Sequence, residues 1–369
     1  MNQKIIKQRQ SNIELLRNIS MFMVLFLHSS FLAFGIPEAN DIHGAPAIWG
    51  GRIFQQGLGI VAVDVFVLIS GWFSIKPKTK SVLAFLFQIT FLKVLSFLVF
   101  LTLGKIAGIY VFATFVYALW QYIQWRTLSP FVNRSSIINF IVWGNNPFAM
   151  HLWYLHCYIY ALLIILILEK YNRFKQVIYW MPLLLLPNFL LGSYSICFEP
   201  TKWQDCIYSR NAYFLILPYF SIGYILRNTL IRYKYKVKKN GLICIALILS
   251  IVSYLDITFA CNGIINDLPI TSALLSVVLF VMFLLMKMKQ NTISTLGSKY
   301  SLNLYIYHPL LGGILSFILL RLGVPGGAFG LPYVWQLILP LGVCLLTISI
   351  LMLFTTIKVK LYNGRIKNS

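Results

Sequence analysis

Gly59-Ile60-Val61-Ala62-Val63-Asp64-Val65-Phe66-Val67-Leu68-Ile69-Ser70-Gly71-Trp72-Phe73 is a run of 15 residues in which Asp64 is the single charged side chain. Apolar residues occupy every face of the helix it would form, and a helix that is apolar all round belongs in a large core or in a bilayer. The surrounding stretch 57–75 approaches the ~20 apolar residues that a membrane crossing needs. A carboxylate in such a run must be protonated, or paired with a cation or hydrogen-bond donors. Ser70-Gly71 lets another helix come close, a packing feature at least as readily as a chemical one. Asp64 reads either as a structural partner for a Lys or Arg of another helix or as part of a site.

The rest of the chain repeats this character. Of its 369 residues 59% are hydrophobic and 11% charged, with a mean hydropathy of +0.78, whereas a soluble domain carries about 25% charged residues. Neither a water-soluble core nor a disordered chain has this balance, which points to a polytopic membrane protein. The net charge of +22 comes from 31 Lys and Arg against 9 Asp and Glu. It lies in short clusters between apolar runs, as the positive-inside rule produces, rather than on one face as nucleic-acid binding requires. The six cysteines show no CxxC pair and no metal spacing, so no metal is expected. Cys197 and Cys206 share one segment between apolar runs and would pair only in an oxidising space. Lys4, Lys7 and Arg9 before an apolar run resemble a signal peptide, but no small-residue cleavage site follows and the run holds Glu14, Arg17 and His28. A retained first helix is expected.

Apolar runs occur at 13–34, 57–75, 82–103, 106–125, 152–168, 175–193, 211–227, 241–260, 268–287, 300–321 and 333–357. Basic clusters at Lys4/Lys7/Arg9, Lys76/Lys78/Lys80, Arg227 to Lys239, Lys287/Lys289/Lys299 and Lys358 to Lys367 mark cytoplasmic ends. Both termini then lie inside, which demands an even number of crossings. Eleven runs conflict with that, and the conflict sits in 82–150: either 106–125 is re-entrant, or 134–150 hides another crossing. The expectation is an all-α transmembrane bundle of about ten helices. It forms one domain over 1–369, with 1–12 and 358–369 as cytoplasmic tails, and it sits as a multi-pass protein in the bacterial cell membrane.

Ionisable groups inside such runs cost several kcal/mol each and are functional candidates by default. Glu14-Leu15-Leu16-Arg17 opens the first run and His28 follows 11 residues after Arg17. At about 100° and about 1.5 Å per residue, Arg17 and His28 fall on one face, about 16 Å apart along the axis. Taken singly, Arg17 reads as a snorkelling anchor and His28 as an interfacial residue; on one face they read as a site. Lys93 lies inside 82–103, as a partner for Asp64 or as part of a polar cavity. His151-Leu152-Trp153-Tyr154-Leu155-His156 opens another run and fits an interfacial aromatic belt equally well. Ser301-Leu302-Asn303-Leu304-Tyr305-Ile306-Tyr307-His308-Pro309 sets His308 before a proline, which weakens the helix ladder and either opens a polar pocket or merely kinks the helix. No Walker loop, dinucleotide glycine motif, zinc spacing or GxSxG elbow is present.

Four of these elements resemble the membrane acyltransferase 3 family. Arg17 with ten residues before His28 resembles its R-x10-H signature, and AVDVFVLISGWF at 62–73 is similar to its second motif. Leu152-Trp153-Tyr154-Leu155 looks like its aromatic helix start, and Ser301–Pro309 resembles its late S-x-x-x-Y-x-x-H-P element. The four stand in the family's order, and the opening Ser11–Arg17 is similar to the branch found in bacterial exopolysaccharide and capsule clusters. The resemblance implies about ten helices, a cytoplasmic acyl-CoA donor (acetyl-CoA above all), and transfer of the acyl group to a sugar hydroxyl. It places catalytic weight on Arg17 and His28, with Glu14, Asp64, Ser70, Trp153, Tyr154, Tyr305 and His308 supporting or binding substrate. The family's Arg-rich element after the second motif is reduced here to Lys76, Lys78, Lys80 and Lys93, which become the coenzyme contacts or mere topology markers.

The chemistry suits these residues. A thioester is a good acyl donor, whereas a sugar hydroxyl is a poor nucleophile at neutral pH. A histidine can take its proton or carry the acyl group transiently, and an arginine can bind phosphate or stabilise an oxyanion. The expected partners are therefore the lipid bilayer, an acyl-CoA and a glycan or lipid-linked sugar, with no nucleic acid. A glycan flippase and a glycan polymerase are the competing readings. The first would show inverted repeats, which are not found here, and the second a sizeable outer loop, where 35–56 is among the longest.

Overall fold

The computed structural model describes residues 11–25, 57, 59–73, 77–107, 152–186, 212–233, 239–259, 270–286, 300–308, 311, 322 and 341–353. These residues are helices and turns, with no strand among them. In chain order the helices are α1 (11–25), α2 (Ala62–Trp72), α3 (Thr79–Ala107), α4 (Trp153–Lys170), α5 (Leu217–Tyr233), α6 (Lys239–Phe259), α7 (Ile270–Leu285), α8 (300–308) and α9 (341–353). The helical reading of the sequence therefore holds for the described residues. His28, Lys76, Cys197, Cys206, Cys261, the loop 35–56 and the stretch 134–150 lie outside them.

Helix α2 sits at the centre. Its β-branched and aromatic residues lose little by helix formation when both flanks are packed, and Val65, Val67, Leu68 and Ile69 are all buried. It packs chiefly on α5 and then on α7, while α6 lies on α7 and α3 on α4. Two glycines set the α2–α5 approach. A Cβ on Gly71 would stand 1.9 Å from the Phe220 carbonyl oxygen, and one on Gly223 would stand 2.2 Å from that of Leu68. Backbone therefore meets backbone, the small-residue contact that Ser70-Gly71 foreshadows. Trp72 then meets Phe280 of α7 edge-on at 5.7 Å, and Asn12 at the start of α1 donates to the carbonyl of Met286 just past α7.

Two elements differ from the apolar runs. Thr79–Ala107 is one helix of 29 residues, so the break expected after 103 is absent as far as Ala107. The run from 175 does not begin as an uninterrupted span. Phe174–Val177 is a single helical turn, and Met181–Leu184 is a 3₁₀ turn with Pro182 at its start. Proline cannot donate to the preceding carbonyl, so it opens a new turn there rather than extending the old one. Upstream of α5, Ala212–Ile216 winds as a π turn. Pro218 then follows the π turn within the first turn of α5, where it has no N–H to donate back to the preceding turn.

The core of the described residues is apolar, with Leu16, Leu68, Ile69, Phe220 and Phe280 fully buried, and a minority of polar groups lies among them. The interior holds Ser20, Asp64, Ser221, Ser253, Ser272, Ser276, Ser301, His308 and Thr347. The outside carries Leu83, Phe87 (74% exposed), Phe91 and Val94 along one face of α3, Ile243, Leu247 (62%), Ile248 and Ile251 on α6, and Leu341, Leu345 and Met352 on α9. Among the described residues no helix is both long and apolar enough to cross a membrane.

Candidate active site

On α1 the pair Glu14 and Arg17 is spaced to meet on one helical face. Arg17 Nη1 donates to Glu14 Oε2 at 2.7 Å, with both side chains partly exposed. One of the guanidinium's five N–H donors is thereby committed to Glu14.

Helix α4 carries Tyr154 and Tyr158 one turn apart, their rings 5.9 Å from each other. Tyr154 stacks on Phe66 of α2 at 6.4 Å and meets Tyr305 of α8 edge-on at 5.7 Å. Phe66 and Tyr305 close the triangle at 6.4 Å. Aromatic pairs at these separations add about 0.5–1.5 kcal/mol each beyond their burial, so three helices remote in sequence are clamped at one point. The Arg17 guanidinium lies within electrostatic reach of both the Tyr154 and the Tyr158 hydroxyl. Ser70, one turn after Phe66, donates to the Phe66 carbonyl at 3.0 Å and lies against the Tyr158 hydroxyl.

His308, the last described residue of 300–308, has its ring 6.0 Å from that of Tyr305. Its Nδ1 faces the carbonyls of Leu304 and Tyr305 at 3.0 and 2.8 Å. Carbonyls only accept, so Nδ1 carries a proton.

Asp64, 2% exposed, lies two residues before Phe66 on α2. The Tyr219 hydroxyl of α5 faces its carboxyl, with Ser276 of α7 on the other side of that hydroxyl and Tyr154 within electrostatic reach. Facing is not bonding here: Asp64 Oδ2 and Tyr219 Oη both lack a hydrogen-bond partner of good geometry.

The structure thus brings together Glu14, Arg17, Asp64, Ser70, Tyr154, Tyr305 and His308. Trp153 opens α4 and Lys93 lies within α3, but the side chains of both are outside the described set. Lys78 and Lys80 are exposed at the start of α3. His28 and Lys76 are not described. Among the described residues no group of His, Cys, Asp and Glu could hold a metal ion. Sequence reasoning passed over Phe66, Tyr158, Tyr219 and Ser276. Tyr158 was within reach of it, standing four residues after Tyr154, whereas nothing in one strand of sequence separates Tyr219 from the other tyrosines, 21 in all.

A bundle whose buried polar groups converge on an arginine, a carboxyl and a ring nitrogen has the make-up of a group-transfer enzyme. The profile described as the acyltransferase domain matches residues 10–356, and the chain belongs to the acyltransferase 3 family. No curated protein and no solved structure matches it. The matched range contains every residue of the cluster.

Proposed function

We propose that this acyltransferase is an integral membrane O-acyltransferase of the bacterial cell membrane. It moves an acyl group, acetyl in the first instance, from cytoplasmic acyl-CoA to a hydroxyl of a cell-surface or exported polysaccharide. The observation that carries the reading is the convergence of all four family-like segments on one cluster, through Arg17, Phe66, Tyr154 and Tyr305. Large apolar side chains left exposed on α3, α6 and α9, such as Phe87 and Leu247, support the membrane assignment, as a lipid environment favours them.

In this reading Arg17, held by Glu14, engages the donor's phosphates or the charge that develops on the thioester oxygen. His28 removes the proton of the acceptor hydroxyl or carries the acyl group, and the tyrosine hydroxyls orient the reacting carbonyl. The C–S bond of the thioester breaks, the C–O bond of the ester forms, and the hydroxyl proton ends on the coenzyme thiol.

Membrane vesicles exposing their cytoplasmic face, given acetyl-CoA labelled in the acetyl group, test this. Label passes into glycan with the wild type and not with His28→Ala at equal protein level. Transfer by His28→Ala at the wild-type rate would remove His28 from the chemistry, and no glycan labelling by the wild type would remove the reaction.

A further inference from the structure

Asp64 and Tyr219 stand apart from the groups whose roles the reaction already uses. They come from α2 and α5, the two helices pressed backbone to backbone by Gly71 and Gly223. Tyr219 is 0% and Asp64 2% exposed, and Ser276 of α7, also fully buried, lies next to the Tyr219 hydroxyl. A helix contact this close could have been filled with apolar side chains. It instead holds a carboxyl oxygen and a phenol oxygen that face each other with no closed hydrogen bond. Each buried, unsatisfied polar atom costs about 1–3 kcal/mol, a cost that persists where a function uses the group.

The position of the pair indicates the use. Asp64 is in electrostatic reach of Tyr154, and Tyr154 is in reach of Arg17. Ser276 is anchored separately, donating to the Ala273 carbonyl at 2.8 Å. The buried Asp64 and Tyr219, with Ser276 beside them, are therefore coupled electrostatically to the cluster that holds Tyr154 and Arg17. In the transfer proposed above, a proton leaves the acceptor oxygen and must reach the sulfur of the departing thiolate. If donor and acceptor approach from opposite ends, no single side chain touches both atoms.

We propose that Asp64 and Tyr219 form a proton relay for acyl transfer, an inference that rests on the O-acyltransferase reading. The catalytic base takes the acceptor's proton as the C–O bond forms. Asp64, backed by Tyr219, accepts a proton from the base side and returns one through Tyr154 to the thiolate as the C–S bond breaks. The relay ends each cycle as it began, so no oxidant, reductant or net proton is required. Asp64 and Tyr219 act through other groups and are positioning residues.

The test uses Asp64→Asn, which keeps the shape and the hydrogen-bonding capacity but cannot pass a proton as a carboxyl does, and Tyr219→Phe, which removes one oxygen. Full-length protein is purified in nanodiscs and checked for monodispersity. Acetyl transfer and release of free coenzyme thiol are then measured across acetyl-CoA concentrations. Both variants are expected to lower kcat at least tenfold while the KM for acetyl-CoA stays within twofold. The solvent deuterium isotope effect on kcat is expected to rise above the wild-type value, because proton passage becomes limiting. Wild-type kcat in Asp64→Asn would overturn the relay. Should Asp64→Asn fail to fold, Tyr219→Phe decides: unchanged kcat overturns the relay, and the tenfold loss with a raised isotope effect upholds it. Absence of acetyl transfer by the wild type would instead count against the O-acyltransferase reading, so the two failures are distinguishable.

Discussion

Arg17 is aimed by Glu14 through a single 2.7 Å contact, and that leaves most of its planar fork for a substrate. A lysine would preserve the charge but not the fork. Arg17→Lys is therefore expected to lower acyl transfer by about two orders of magnitude, the scale of one lost transition-state donor. Glu14→Gln, which loosens the aim without removing the group, should cost several-fold. Acetyl-transfer rates at equal protein level check both, and a rate for Arg17→Lys near wild type would show that only charge matters. Much of this scale was legible in the sequence. Glu14, Arg17, Asp64 and His308 announce themselves because an ionisable group in an apolar run is costly. Tyr219 and Ser276 do not, since a tyrosine or a serine in a helix is unremarkable until its neighbour across the bundle is known. Lys78 and Lys80 stand where the resemblance puts a basic element after the second motif, and the fold leaves both exposed.

Among elements, α2 and α5 form the joint on which the cluster depends. Any side chain at Gly71 or Gly223 would drive a Cβ into the facing carbonyl. Gly71→Ala and Gly223→Ala are each expected to destabilise the fold by about 1–3 kcal/mol through overpacking, and to weaken acyl transfer by shifting Phe66 and Ser70. Gly241→Ala is the control, because a Cβ there meets nothing within 4 Å. Thermal unfolding in detergent checks the series, and equal midpoints for Gly71→Ala and Gly241→Ala would contradict the close crossing. Ser70-Gly71 made a close contact foreseeable, but its partner was not, because the pairing of α2 with α5 spans about 150 residues of chain that carry no local signal. The π turn before α5 and the 3₁₀ turn at Met181–Leu184 were hidden for a similar reason. A window of apolar residues reports hydropathy, and only Pro182 and Pro218 hinted that the winding changes.

For the whole molecule, large apolar side chains such as Phe87 and Leu247 stand exposed on α3 and α6, and the proposed membrane reading sets them against lipid. A charge on the outward face should be costly there: Leu247→Arg is expected to lower membrane insertion by about 2.5–3.5 kcal/mol on an insertion scale if that position sits near mid-bilayer. Carbonate extraction of cell membranes checks it, and an unchanged membrane fraction for Leu247→Arg would argue against lipid at that face. The proposed membrane class rests first on composition, since 11% charged residues among 369 is less than half of what a soluble domain carries. Composition is silent on which sugar is acylated, because acceptor choice depends on the shape of a site and not on its average polarity.

The central claim is that this chain acylates a surface glycan with His28 and Arg17 in the chemistry. The most direct measurement is a mass spectrum of the host's surface glycans from cells with the gene, without it, and complemented by wild type, His28→Ala or Arg17→Ala. Each repeat is expected to lose the mass of one acyl group when the gene is absent, and only the wild type is expected to restore it. Unchanged acylation without the gene, accompanied by altered chain length or lost surface export, would contradict it and assign the protein to assembly or transport of the glycan instead.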